Sequence, residues 1–309
     1  MKNNEVLVMF TMDVEPAAKS DGRTSGPKND AEGARNVLAY TDVLAGYGLK
    51  PTFFVHPELG ATQAKLFRAL KKRGAGLGLH LHAVKLAGLK CGCELGGLGR
   101  EKQKKIIGRA AGMFAKYFGF SPRIFRPGCF SANDSTYSVL EELGFEGGSV
   151  CIPGRIWPGR FCVWAGADPY PRFAHSSFRQ AAGDLNFVEI PLSVDRIGGL
   201  KEHALGFRYY ADLRPGGVYR ESEDSGRDHR LILRHIIRQL AADKPLLKTI
   251  VIDVHNDRNF TDLSTAPARQ LRVVLDSLAP ELAKINCRPV SAAFDEAIRI
   301  FRRLKHDAR

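Results

Sequence analysis

His80 and His82 close an apolar run, Gly76 to His82, in which they are the only polar side chains. On a strand, period-2 spacing turns both rings to one face. The first apolar run, Val6 to Glu15, does the same with acids and leaves Asp13 and Glu15 on one face. A late run, Thr249 to His255, does it with Asp253 and His255. Hydrophobic strands that end in paired polar groups assemble a metal or acid–base site at the mouth of a sheet or barrel. These spacings point to an enzyme.

Of Asp13 and Glu15, one could hold a divalent metal while the other takes a proton from water. A structural reading has Glu15 capping the next loop and Asp13 in a structural hydrogen bond. A carboxyl ending a buried strand is costly without a partner or a task, which favours function. His80 and His82 match two ligands of a three-ligand catalytic metal site, with Glu15 or Asp13 as the third and positions left for water. His56, after Phe53-Phe54-Val55, is a reserve ligand. Arg126, in the segment Phe125 to Phe130, would project at the same end, pair with Asp13 and keep it ionised. An ordinary strand-end salt bridge explains it equally. Histidine as a residue type suits a general acid, which is the reading for His255, with Asp253 on the same face to orient it.

Strand and helix patterns alternate along the chain, which argues for α/β with parallel strands. Strands are expected near 5–12, 52–55, 76–82, 123–126, 146–151, 186–191, 248–254 and 288–290. Helices are expected at 30–47, 61–73, 100–118, 133–143, 228–242, 266–284 and 292–305. Asp30 is expected to cap the first and Asn133 or Asp134 the fourth. The polar, Gly-rich stretch from Pro16 to Asn29 is long for a plain connection and reads as an active-site loop. Residues 152–185 and about 195–225 read as irregular. No Pro/Ser-rich linker divides the chain, so 1–309 reads as one domain with loop insertions near 152–185 and 195–225. No G-x-G-x-x-G follows the first strand and no Walker-type loop is present. Seven or eight strand–helix units suit a barrel or an open doubly wound sheet, and a barrel lets the polar strand ends converge most easily.

The 309 residues are 44% hydrophobic, enough for a full core. No run of 18 apolar residues is present, and the start lacks the apolar segment of a signal peptide, so a soluble cytoplasmic protein is expected. Of six cysteines only Cys91 and Cys93 are close. Reduced thiols fit them better than a structural zinc site, which needs a second pair. The net charge is +13, from 46 basic and 33 acidic residues. The basic residues are scattered and not interleaved with aromatics, so no nucleic-acid partner is expected. An anionic substrate, such as an acidic glycan or a phosphate-linked sugar, would benefit from this field, although a merely solvated basic surface accounts for it as well.

Together these segments resemble the polysaccharide deacetylase (NodB-homology, carbohydrate esterase 4-like) family. Thr11-Met-Asp-Val-Glu15 resembles a D-x-E variant of its first motif. Thr52 to Val55 is similar to its second strand, and Leu77-Gly-Leu-His80 to the start of its metal-histidine motif. Phe125-Arg-Pro-Gly128, with the helix ending Leu140 to Phe145, looks like its third motif. Val188-Glu-Ile-Pro191 and the strand ending at His255 resemble the last two.

The resemblance implies a distorted (β/α)7 TIM-like barrel and metal-dependent amide hydrolysis. By position, Asp13 takes the role of base, Arg126 orients it and His255 is the general acid. His80 is a metal ligand. Val14 stands where the family has a second acid, so Glu15 would replace it as ligand. Val84 stands at the family's second metal histidine, so His82 would substitute. The implied cofactor is a divalent metal, with Zn²⁺ expected. The implied partner is an N-acylated amino-sugar glycan or glycan-lipid precursor, with Trp157, Trp164, Tyr170 and Tyr209 as candidate sugar-stacking residues. Two rival readings remain: a metal phosphoesterase using the H-x-H pair, and a catalytically silent carbohydrate-binding barrel.

Overall fold

The structure is a computed structural model that describes residues 4–18, 26–86, 88, 91–217 and 227–307. Its strands are β1 (Glu5–Val14), β2 (Pro51–Val55), β3 (Gly76–Leu81), β4 (Ile124–Pro127), β5 (Gly147–Gly148), β6 (Ile156–Trp157), β7 (Cys162–Val163), β8 (Arg172–Phe173), β9 (Val188–Glu189), β10 (Val194–His203), β11 (Phe207–Asp212), β12 (Thr249–His255) and β13 (Arg288–Ser291). The helices are α1 (Asp30–Ala45), α2 (Gly60–Lys72), α3 (Arg100–Phe118), α4 (Thr136–Glu142), α5 (His229–Asp243), α6 (Ala266–Ala283) and α7 (Phe294–Asp307).

The main sheet runs in the order β12-β1-β2-β3-β4-β5-β9-β8, with β13 also on β1. Every pair is parallel except β8 with β9. Seven parallel strands therefore curl from β12 to β9 in a distorted (β/α) barrel, as expected. The gap between β9 and β12 is bridged by other groups. Val251 N–H donates to Ser193 Oγ at 2.9 Å, and Asp253 N–H donates to the Leu213 carbonyl at 3.2 Å. β1 is central and buried at every position from Val6 to Val14. A parallel strand buried on both faces reads as a near-continuous apolar run, which is how this one reads up to its polar end. No helix of the described residues is long and apolar enough to cross a membrane.

Several local expectations need correction. Asn29, not Asp30, caps α1: its side chain accepts from Glu32 N–H at 2.8 Å. α4 begins later than expected, at Thr136. Asn133 does not cap it. Its side-chain oxygen instead accepts from Ser135 N–H and from Gln103 Nε2. The 195–225 stretch is largely a hairpin, not irregular chain. β10 and β11 pair antiparallel from Val194 with Asp212 to His203 with Phe207. Gly198 and Gly199 break the alternation on β10 and hide it from a period-2 reading. Part of that stretch, residues 218–226, lies outside the described residues, as does 19–25 of the Pro16–Asn29 loop. Residues 152–185 carry only two-residue strands, close to expectation.

Candidate active site

The parallel register brings the polar strand ends side by side. On β1 and β12, Thr11 is opposite Asp253 and Asp13 opposite His255. On β3 and β4, His80 is opposite Arg126. Between them β2 contributes Phe54, whose ring lies 4.2 Å from the Arg126 guanidinium carbon. Period 2 then stacks Glu15 above Asp13 and His82 above His80 at the carboxyl ends of the strands, where barrels place their chemistry.

His80 sits between the two acids. Its Nδ1 is 3.8 Å from Asp13 Oδ2 and its Nε2 is 3.6 Å from Glu15 Oε1. Neither nitrogen makes a hydrogen bond among the described residues, although the ring is buried. His82 Nε2 is 3.1 Å from the same Glu15 oxygen, and its Nδ1 is 2.7 Å from Glu94 Oε1. Glu94 Oε2 also accepts from Ala83 N–H at 3.1 Å, so the acid is fixed before it touches the ring. Lys85 Nζ donates to Glu15 Oε2.

Charge follows from these contacts. Burial pushes the Glu15 carboxyl up, but Lys85 and His82 outweigh it and hold it well below the ordinary value. Burial pulls His82 down, while Glu94 and Glu15 raise it to a net value of about 9. Burial also pushes Asp13 up. His80, Arg126 and His255 overcome that and leave it below the ordinary carboxylate range. Asp253 goes the other way, because burial and the charge of Asp13 both raise it.

Donor atoms of Glu15, His80 and His82 lie within 4.8 Å of one another. The donor set suits a divalent ion. Two imidazoles and a carboxylate converge, one imidazole has no hydrogen bond, and the other is backed by a carboxylate, a common arrangement behind metal-bound histidine. Lys85 occupies the Glu15 oxygen that does not face the imidazoles.

Asp13, Glu15, His80, His82 and His255 line one cavity of about 50 Å³, with Arg126 buried beneath. The six residues given catalytic or ligand roles by the family resemblance thus lie together. His56 is buried without a side-chain hydrogen bond among the described residues and lies outside the donor cluster. Burial, then His80 and His82, push its pKa well below the ordinary value, so it is neutral. Asp253 makes no hydrogen bond to His255 among the described residues; it accepts from Arg126 and from Thr11 Oγ1 instead. Cys91 and Cys93 are free and join no donor cluster among the described residues.

Of the four candidate stacking aromatics only Trp157 lines the cavity. Trp164 is fully buried and donates through Nε1 to the Phe130 carbonyl, so it is packing. The Tyr170 hydroxyl donates to Asp243 Oδ2, and the Tyr209 ring packs on Phe207 and faces Arg227.

Sequence reasoning missed several supports. Asn256 clamps the Glu15 backbone: its oxygen accepts from Glu15 N–H and its nitrogen donates to the Glu15 carbonyl, each at 3.0 Å. Gly128 lies against His82, where a Cβ would meet the ring at 2.1 Å. Cys129 and Phe130, which follow it, take φ values of 54° and 53°, strained for residues other than glycine. The position of Asn256 beside His255 and the Arg-Pro-Gly order were the only available signals. Nothing in the sequence marked Lys85 or Glu94.

The family model described as polysaccharide deacetylase matches residues 5–148. No curated protein matches the chain in sequence. Among solved structures, a candidate polysaccharide deacetylase of Mycobacterium smegmatis superposes with a TM-score of 0.63 at 16% identity, covering 98% of this chain and 92% of that one. A candidate glycoside hydrolase/deacetylase of Parabacteroides distasonis gives 0.66 at 12% identity, covering 97% and 72%. The Puue allantoinase gives 0.56 at 11% identity, covering 96% and 90%. At these identities the likeness is one of fold.

Proposed function

With the polysaccharide deacetylase family matched over residues 5–148, we propose that this chain is a metal-dependent hydrolase that removes an N-acetyl or other N-acyl group from an amino sugar. The observation that carries this reading is His80 between Asp13 and Glu15, at 3.8 and 3.6 Å, with His255 in the same cavity. On this reading one acid serves proton transfer and the other cation binding.

Glu15, His80 and His82 would hold the divalent ion, Zn²⁺ being the expected one. When bound, such an ion polarises a carbonyl and acidifies water. Asp13, kept ionised by its neighbours, takes a proton from water as the water oxygen bonds to the acyl carbon. Arg126 fixes the Asp13 carboxylate by donating to Oδ1 at 2.9 Å. His255 gives a proton to the amide nitrogen as the C–N bond breaks, and the products are a carboxylic acid and a free amino sugar. Trp157, which lines the cavity, is the aromatic candidate for contact with a sugar ring.

The test is acetate release from N-acetylglucosamine oligomers before and after treatment with a chelator, then with added Zn²⁺. Release that is lost on chelation and restored by metal supports the reading. Release unaffected by thorough chelation overturns metal dependence. No release from any N-acetylated sugar, with phosphate release from phosphomonoesters, would replace it by the phosphoesterase reading.

A further inference from the structure

Two guanidiniums not used in the mechanism above share the cavity. Arg155 and Arg214 are 1% and 2% exposed, and both line it beside Asp13, His80 and His255. Each comes from chain outside the parallel strands: Arg155 from the insertion before β6, Arg214 from just after β11.

Their charge is incompletely met. Asp212 Oδ2 lies 3.4 Å from Arg155 Nη2 and 3.5 Å from Arg214 Nη2, and Asp212 Oδ1 lies 3.4 Å from Arg227 Nη1. Asp253 Oδ2 is 3.8 Å from Arg214 Nε, while its Oδ1 takes Arg126 at 2.6 Å. Four guanidiniums, of Arg126, Arg155, Arg214 and Arg227, therefore share three carboxylates, of Asp13, Asp212 and Asp253. Among the described residues, Nε of Arg155 and both Nε and Nη2 of Arg214 make no hydrogen bond. Buried donors left without acceptors are costly, and an incoming anion would satisfy them. Burial and the adjacent Arg214 charge hold the Arg155 pKa below its ordinary range, whereas Asp212, Asp253 and Asp13 outweigh burial and raise that of Arg214, so the unmet charge lies mainly at Arg155 and the unmet donors at both. A guanidinium fork suits the planar carboxylate and the phosphate equally.

We infer that the substrate is an N-acyl amino sugar bearing an anionic group, carboxylate or phosphate, which Arg155 and Arg214 bind while the acylamide lies against Asp13 and His255. The sugar in this inference rests on the deacylase reading; the anion subsite rests on the two arginines. The net charge of +13 would draw such a substrate to the protein.

The test is calorimetric binding of three sugars to the full chain: N-acetylglucosamine, N-acetylglucosamine 1-phosphate and N-acetylmuramic acid. At least one anionic sugar should bind tenfold or more tighter than the neutral one, and which one does so tells phosphate from carboxylate. In Arg155→Gln and Arg214→Gln the preference should fall below threefold. A preference that survives both substitutions in folded protein overturns the assignment to these arginines. Should either variant not fold, the unmodified protein still decides, because no preference for either anionic sugar overturns the inference. Acetate release from neutral oligomers without an anion preference removes the subsite and keeps the deacylase reading. An anion preference without acyl release from any of these sugars does the reverse.

Discussion

One nitrogen of Arg126, Nη1, donates to Asp13 Oδ1 at 2.9 Å and to Asp253 Oδ1 at 2.6 Å. The two carboxylates are buried and meet through a single guanidinium, and Thr11 Oγ1 accepts from the same nitrogen at 2.9 Å. Replacing Arg126 with Gln removes the one charge hydrogen-bonded to both acids among the described residues. Breaking a buried ion pair from one side costs about 3–5 kcal/mol. Urea unfolding of Arg126→Gln should show a loss of that order. A loss below about 1 kcal/mol, the range of exposed pairs, would mean that Arg126 does not bind these acids in solution.

Gly128 sets the position of His82. A methyl group there would lie 2.1 Å from His82 Nδ1, the atom that faces Glu94. The ring must move, and a displacement near 1 Å in a catalytic constellation costs about 100-fold in rate. Gly128→Ala should keep its fold by circular dichroism and lose activity on that scale. Unchanged kcat/KM would show that His82 is not needed where it now sits.

Glu94 acts on His82 rather than on substrate. Carboxylates behind metal-bound histidines are worth about 10–100-fold in metal affinity. Glu94→Gln should weaken Zn²⁺ binding by that factor in a competition titration with a chromophoric chelator. Equal affinity in both proteins would detach Glu94 from the donor set.

The strand-borne half of this site was legible in the sequence and the loop-borne half was not. Asp13, Glu15, His80, His82 and His255 sit on or just past strands, where period 2 fixes the face and the parallel register fixes the neighbour. Lys85 and Glu94 meet Glu15 and His82 only because of the turn after β3 and the chain that returns to it, and no periodicity encodes that return. Arg155 and Arg214 come from an insertion and from the end of a hairpin, so their meeting depends on tertiary packing. The β10–β11 hairpin was half visible: Phe207, Tyr209 and Ala211 alternate inward, but the Gly198–Gly199 break concealed its partner. The same limit explains the stacking aromatics, whose residue types suggested sugar contact but whose burial is decided by what packs over them.

Glu189 makes stability depend on pH. Burial raises its pKa to about 7 from an ordinary 4.5, against the opposing pull of Arg172 and of the Val150 and Cys151 N–H groups. The folded protein thus holds this proton more tightly than the unfolded chain. The contribution is full below pH 4.5 and is lost as pH rises to about 7, a change on the order of 3 kcal/mol. Glu189→Gln keeps an acceptor for Val150 and Cys151 and removes the titration. Its unfolding free energy, measured from pH 4.5 to 7.5, should decline less with pH than that of the unmodified protein. Parallel profiles would mean that folding does not raise the Glu189 pKa.

The most direct test is the rate of acetate release by Asp13→Asn against the unmodified protein, on an N-acetylated amino sugar and with matched metal content. Asparagine keeps the size of the side chain and an acceptor for Arg126 but cannot take the proton from water. Acetate and free amine should appear in equal amounts with the unmodified protein, and the substitution should slow both by about 10²–10⁴-fold. Acetate release by Asp13→Asn at the unmodified rate would contradict the account.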